Sequence, residues 1–279
     1  MTLISLQQGE RHVVRGPAGP LAVRVRGDPS KPAVVMAHSI LSSSMMWDMQ
    51  AAVLAARGYR VVCVDTRGHG DSACDPARDS ERCTMDDLGA DTLAVMDTLG
   101  IERAHYVGLS LGGMIGFGLG IRHPQRLLSL LLCDARADAP STVAAPWNER
   151  IALAVEARSC AALAAPTIER WFGKPFVDAN PAVAERFQRV ASATAVSGFV
   201  SCAQAIQGLD YLDAVDRIRT PTTLIVGSND GVLPQAMQDL HGRIGGSVLE
   251  PIDGAGHLPN IDQPAAFNAA MLRHFERVQ

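Results

Sequence analysis

Three residues of this chain, Ser110, Asp230 and His257, have the types and the order needed for nucleophilic attack on a carbonyl. Ser110 sits in Gly108-Leu109-Ser110-Leu111-Gly112, a G-x-S-x-G match. The match follows an apolar run, Ala104–Val107, and opens a helical pattern from Leu111 to His123 that Pro124 stops. Strand, sharp turn and helix are the context of a nucleophile elbow, in which a strained backbone lifts the hydroxyl above a sheet edge. A plain glycine-serine connection is the alternative, and the flanking elements speak against it. A serine hydroxyl needs an adjacent base, histidine can take and return its proton, and a carboxylate fixes the histidine tautomer. His257 lies in Gly254-Ala255-Gly256-His257 after the last apolar run, whereas His38 and His69 precede the serine and suit packing or loop roles. Asp230 is the favoured acid. Asp134, which closes another apolar run, is its rival. The developing oxyanion needs two donors, expected from the backbone N–H groups of Leu111 and Ile40.

Short continuous apolar runs must position these residues: Ala33–Ala37, Arg60–Val64, Ala104–Val107, Leu127–Cys133, Thr222–Val226 and Ser247–Pro251. Runs of that length without alternation suit strands covered on both faces. Helical stretches separate most of them, including Trp47–Arg57 and a segment opened by a capping box at Thr84-Met85-Asp86-Asp87. A hairpin of His12–Arg15 and Leu21–Arg26 precedes them. The alternation predicts an α/β fold with a mainly parallel, doubly wound sheet. It breaks between about Ala137 and Leu212, where only alanine-rich helical pieces follow one another: Trp147–Ala157, Thr167–Phe172, Pro181–Val190 with Asn180 as its cap, and Ala195–Gln207. The expected organisation is therefore a core of residues 1–136 and 213–279 with a helical cap, 137–212, inserted after the sixth core strand. Ligands of doubly wound sheets bind beyond the carboxyl ends of the strands. Here those ends are followed by His38-Ser39-Ile40-Leu41, Asp65-Thr66-Arg67-Gly68-His69-Gly70, Ser110, Asp134, Asp230 and His257. Titratable and glycine-rich residues thus gather on one edge.

Composition narrows the classes. With 25 basic against 29 acidic residues and no basic stripe, nucleic acid is not an expected partner. No run approaches a membrane span, and Met1–Leu6 is too short an apolar stretch for a signal peptide. Six cysteines without C-x-x-C or Cys/His metal spacing imply no metal and a reducing cytoplasm. Cys63 and Cys133 read as buried thiols. Homo-oligomerisation is left open.

The chain resembles the α/β-hydrolase superfamily over nearly its whole length, and within it 3-oxoadipate enol-lactonases and related small esterases. The stretches that carry the likeness are His38-Ser39-Ile40-Leu41 with Met46-Trp47-Asp48, Asp65–Ser72, Gly108–Gly113, Glu169-Arg170-Trp171-Phe172 and Gly254–His257. The resemblance implies the triad Ser110, Asp230 and His257, the oxyanion pair Ile40 and Leu111, and no cofactor. It implies a small ester or lactone substrate, cleaved through an acyl-enzyme on Ser110. Enol-lactonases bind a carboxylate-bearing lactone, for which Arg136 is the candidate cation. Trp47, Trp147 and Trp171, with Met45 and Met46, are candidate apolar lining. The same scaffold would also serve C–C bond hydrolysis or cofactor-free oxygenation. A non-catalytic ligand-binding protein is the alternative from another class. The serine at the elbow disfavours dehalogenase and epoxide hydrolase chemistry, which uses an aspartate nucleophile.

Overall fold

The computed structural model describes residues 9–74 and 82–279, so Met1–Leu6 lies outside the described residues. Eight strands form one sheet: β1 (Glu10–Gly16), β2 (Gly19–Arg26), β3 (Ala33–Ala37), β4 (Arg60–Val64), β5 (Ala104–Leu109), β6 (Leu127–Cys133), β7 (Thr222–Gly227) and β8 (Val248–Ile252). Their spatial order is β1-β2-β4-β3-β5-β6-β7-β8. The β1–β2 hairpin pairs antiparallel with itself and with β4, and every other pairing is parallel. The central strands are apolar without alternation because helices cover both faces. β3, β5 and β7 are buried along their whole length. Cys63 and Cys133 lie within this core, and burial pushes the Cys63 thiol up to about 12.

Helices α1 (Asp48–Ala56), α2 (Met85–Thr98) and α3 (Leu111–Arg122) make the crossovers of the first half. The capping box of α2 forms as the sequence predicts. Thr84 Oγ1 accepts from Asp87 N at 3.2 Å, and Asp87 Oδ2 accepts from Thr84 N at 2.8 Å. The expected Trp47–Arg57 helix forms as α1, with Trp47 and Arg57 as its caps, and a 3-10 turn, Ser44–Trp47, leads into it. Three of the five glycines inside α3 bring it close to its neighbours: a Cβ on Gly116 would meet Leu132 at 2.3 Å, on Gly118 the Tyr211 hydroxyl at 2.6 Å, and on Gly120 Leu130 at 2.8 Å. The helix propensity lost there is offset by packing density against the sheet.

Between β6 and β7 run six helices: α4 (Ser141–Ala144), α5 (Pro146–Ala157), α6 (Ala161–Phe172), α7 (Lys174–Ala179), α8 (Pro181–Ala193) and α9 (Val196–Gln207). The stretch expected from Thr167 starts earlier, at Ala161, and runs through Pro166. Asn180 does not cap α8 through its side chain; its amide donates to the Phe176 carbonyl at 3.0 Å. The two ends of the inserted segment are tied together. Tyr211 N donates to Ala137 O at 2.7 Å and Ala139 N to Leu209 O at 2.9 Å. The segment also touches the turn after β4, where the Gly68 and Gly198 backbones meet without room for a Cβ and Ala195 N donates to Gly68 O at 2.9 Å. Helices α10 (Leu233–Arg243), α11 (Pro259–Asp262) and α12 (Pro264–Arg277) complete the chain, and none of the described helices is long and apolar enough to cross a membrane.

Candidate active site

The turn between β5 and α3 holds Ser110 at φ 55, ψ −113, a conformation that L-residues avoid. Neighbouring bonds hold the turn in it: Ser110 N donates to Cys133 O at 2.9 Å, and Met114 N to Ser110 O at 2.8 Å. The glycines on either side are required by contact. A Cβ on Gly108 would stand 2.2 Å from Gly112 O, and one on Gly112 would stand 2.3 Å from Ala37 O. Strain of this kind persists only where the surroundings over-determine it.

His257 reaches the same spot from the loop after β8. Its Nδ1 lies 2.6 Å from Asp230 Oδ2, so Nδ1–H donates to the carboxylate and Nε2 is left for the serine proton. Both side chains are largely buried. Burial alone would raise the Asp230 carboxyl, but His257, Asp134 and Arg170 together hold it below the usual carboxylate value. No hydrogen bond joins Ser110 Oγ to the imidazole in this structure; such contacts often tighten only when substrate is bound.

Ser110, His257 and Asp230 share the wall of one cavity of about 470 Å³ with Ile40, Asn229 and Trp147. His257 is the single histidine on that wall among the described residues. His38 and His69 are buried beneath the neighbouring loops. His38 Nε2 accepts from Thr66 N at 2.9 Å while its Nδ1–H donates to Ser39 O at 2.7 Å, which ties the loop of Ile40 to the turn after β4. Burial first, then His38, push His69 down to about 3. Asp65 accepts from Ser44 N at 2.6 Å and Asp71 N at 3.0 Å, a loop-holding role. The N–H groups of Ile40 and Leu111, the expected oxyanion donors, have no hydrogen-bond partner among the described residues.

Asp134 lies beside this group, fully buried at the end of β6. Its Oδ1 accepts from Gly227 N at 2.8 Å, and its carboxyl makes no contact with the imidazole that would give it the triad role. Trp147 lines the cavity, as expected. The other two tryptophans do not. Trp47 is wholly buried and packs on Phe267 at 6.1 Å between ring centroids, away from the cavity. Trp171 is also wholly buried, and it stacks on the rear of His257 rather than facing substrate. Arg136 lines the cavity, as expected, with its guanidinium held on Asp138, donating to Oδ1 at 2.8 Å and to the backbone carbonyl at 2.6 Å. Met45 and Met46 are not part of the wall either.

Two further cations line the cavity, Arg150 of α5 and Arg170 of α6. Neither is in an ion pair or hydrogen bond among the described residues; Arg150 lies over the Trp147 ring at 4.8 Å. Partial desolvation and mutual repulsion hold the Arg170 guanidinium below its ordinary value, with Asp230 opposing. Arg170 belongs to the Glu-Arg-Trp-Phe stretch, but nothing in the sequence around Arg150 marks it as more than a solvated helix position.

The α/β-hydrolase fold family matches residues 32–264. The chain belongs to that family. The 3-oxoadipate enol-lactonase 1 of Acinetobacter baylyi is 36% identical over 251 residues, covering 88% of this chain and 90% of that protein. A hydrolase of Pseudomonas aeruginosa superposes with a TM-score of 0.89 at 33% identity, over 96% of this chain and 98% of its own. The enol-lactonase of Burkholderia xenovorans superposes with a TM-score of 0.85 at 28% identity, over 96% and 100% of the two chains.

Proposed function

We propose that this α/β-hydrolase cleaves a small carboxylate-bearing ester or lactone through an acyl-enzyme on Ser110. That it acts on ester bonds accords with the enol-lactonase and esterase relatives. The observation that carries the mechanism is the Asp230–His257 pair at 2.6 Å, facing the same cavity as the strained Ser110. His257 Nε2 takes the Ser110 proton as Oγ attacks the carbonyl. The tetrahedral oxyanion is held by Ile40 N–H and Leu111 N–H, each donor worth about 3–4 kcal/mol. Collapse expels the alcohol or enol oxygen, protonated from His257, and in a lactone that leaving group stays tethered to the acyl chain. His257 then activates water to free the acid and restore Ser110. Residues 137–212 act as a cap that closes the cavity from above, with Arg150 and Arg170 offering their charge to the substrate carboxylate. A reducing cytoplasm is the setting this reading takes from the sequence.

The test is Ser110→Ala. It should retain the fold by circular dichroism while losing turnover of short p-nitrophenyl esters and of carboxylate-bearing lactones by at least about 1,000-fold. An unchanged rate would overturn the mechanism.

A further inference from the structure

The triad as described leaves Asp134 without a task, yet the fold holds it firmly in one place. Asp134 has φ 46, a left-handed conformation at the carboxyl end of β6, and its side chain has no solvent exposure. Its backbone is pinned by donation from N to Ile225 O at 2.9 Å, and its Oδ1 by Gly227 N at 2.8 Å. Oδ2 receives no donor at all. Asp134 and Asp230 lie side by side on the wall of the same cavity, close enough for the Asp230 charge to act on the buried Asp134 carboxyl.

Resting on the proposed triad, we propose that Asp134 is a positioning residue: a neutral carboxylic acid whose Oδ2–H donates to the Asp230 carboxylate and fixes the face that Asp230 presents to His257. Two carboxylates in contact cannot both ionise, and the surroundings decide which one does. Asp230 faces His257 and Arg170, both of which favour its charge. Asp134 faces Asp230 and, farther off, Asp262, with the Cys133 thiol beside it and Gly227 N–H as its one donor. Burial and the Asp230 charge accordingly push Asp134 well above the usual carboxylate value. The arrangement runs from Gly227 N–H to Asp134 Oδ1, from Asp134 Oδ2–H to Asp230, and from His257 Nδ1–H to Asp230 Oδ2. Left-handed backbone is tolerated by Asp, Asn and Gly, so two informative substitutions fit without strain.

Asp134→Asn keeps an acceptor for Gly227 and an N–H donor for Asp230, and should retain kcat within about threefold. Asp134→Gly keeps the backbone but removes the donor. Its kcat should fall roughly 10- to 100-fold with KM little changed, the loss expected when a charged acceptor is left unpaired. The acid limb of its pH–kcat profile should move to higher pH, because an Asp230 carboxylate relieved of that donor holds a proton on the imidazole more firmly. A merely structural role would leave that limb in place. Infrared difference spectra of the wild type against Asp134→Asn at neutral pH should show one protonated carboxylic acid C=O band, a reading independent of whether the glycine variant folds. The inference is overturned if that band is absent, if Asp134→Asn loses activity as Asp134→Gly does, or if Asp134→Gly keeps wild-type kcat and pH profile. None of these results depends on the rate of Ser110→Ala, so failure here is distinct from failure of the triad.

Discussion

Trp171 carries the rear wall of His257. Its indole lies 6.2 Å from the imidazole centroid at an interplanar angle of 27°, and its carbonyl accepts His257 N–H at 2.8 Å. The loop that carries His257 is therefore built partly on a helix of the segment between β6 and β7. Gly256 belongs to the same contact, since a Cβ there would stand 2.2 Å from Trp171 O.

Substituting Trp171 should thus affect stability and catalysis together. Trp171→Ala removes a wholly buried ring that also packs edge-on against Phe172 and Phe187, and should cost about 3–5 kcal/mol in urea denaturation. Trp171→Phe should recover most of that stability, because the indole N–H has no partner to lose. Its kcat should still lie below wild type, since the smaller ring leaves the imidazole less confined. A phenylalanine variant with wild-type kcat and an alanine variant with wild-type stability would show that the stack does nothing.

The cavity cations predict a split between substrates. Arg150→Met should lower kcat/KM for a carboxylate-bearing lactone by roughly 10- to 100-fold, the range for a hydrogen bond to a charged group. A neutral ester of similar size should be hydrolysed nearly as before. Arg150 is the cleaner of the two sites, because Arg170 also faces Asp230 and its loss would disturb the triad for every substrate. Steady-state kinetics on the two substrates decide it, and equal losses on both would remove Arg150 from substrate recognition.

The Ser110 elbow, the order of strand ends and the α2 capping box were legible in the chain because each rests on local spacing. A tight turn and a helix cap are written in neighbouring residues and need no knowledge of the partner helix. The pocket was not legible in the same way. Trp47 and Trp171 have the composition of lining residues, but whether a tryptophan faces a cavity or a neighbouring ring depends on how two distant segments dock. Arg136 and Arg150 are equally basic in sequence; only the fold turns one onto Asp138 and leaves the other facing the cavity. The choice between Asp134 and Asp230 likewise rests on distances across the ends of β6 and β7, which sequence order does not encode.

Asp262 gives the molecule a pH-dependent stability that can be read apart from catalysis. Its Oδ2 accepts from Gly256 N at 2.7 Å and so anchors the loop that carries His257. Burial pushes its carboxyl up to about 6 from an ordinary 3.8, backbone donors including Gly256 N–H pull it partly back, and the Asp230 charge adds to the rise. The folded state therefore binds this proton more tightly than the unfolded chain does. Between 3.8 and about 6 the native protein holds more protons, so this contribution to stability falls as pH rises through that window and is flat outside it. Asp262→Asn keeps an oxygen acceptor for Gly256 N–H and removes the charge. It should be more stable than wild type at pH 8, by about 1–2 kcal/mol for a group only partly desolvated. Near pH 4 the two proteins should be close to equal. Urea denaturation across that range measures the difference, and a constant offset at every pH would show that the carboxyl titrates alike in the folded and unfolded chains.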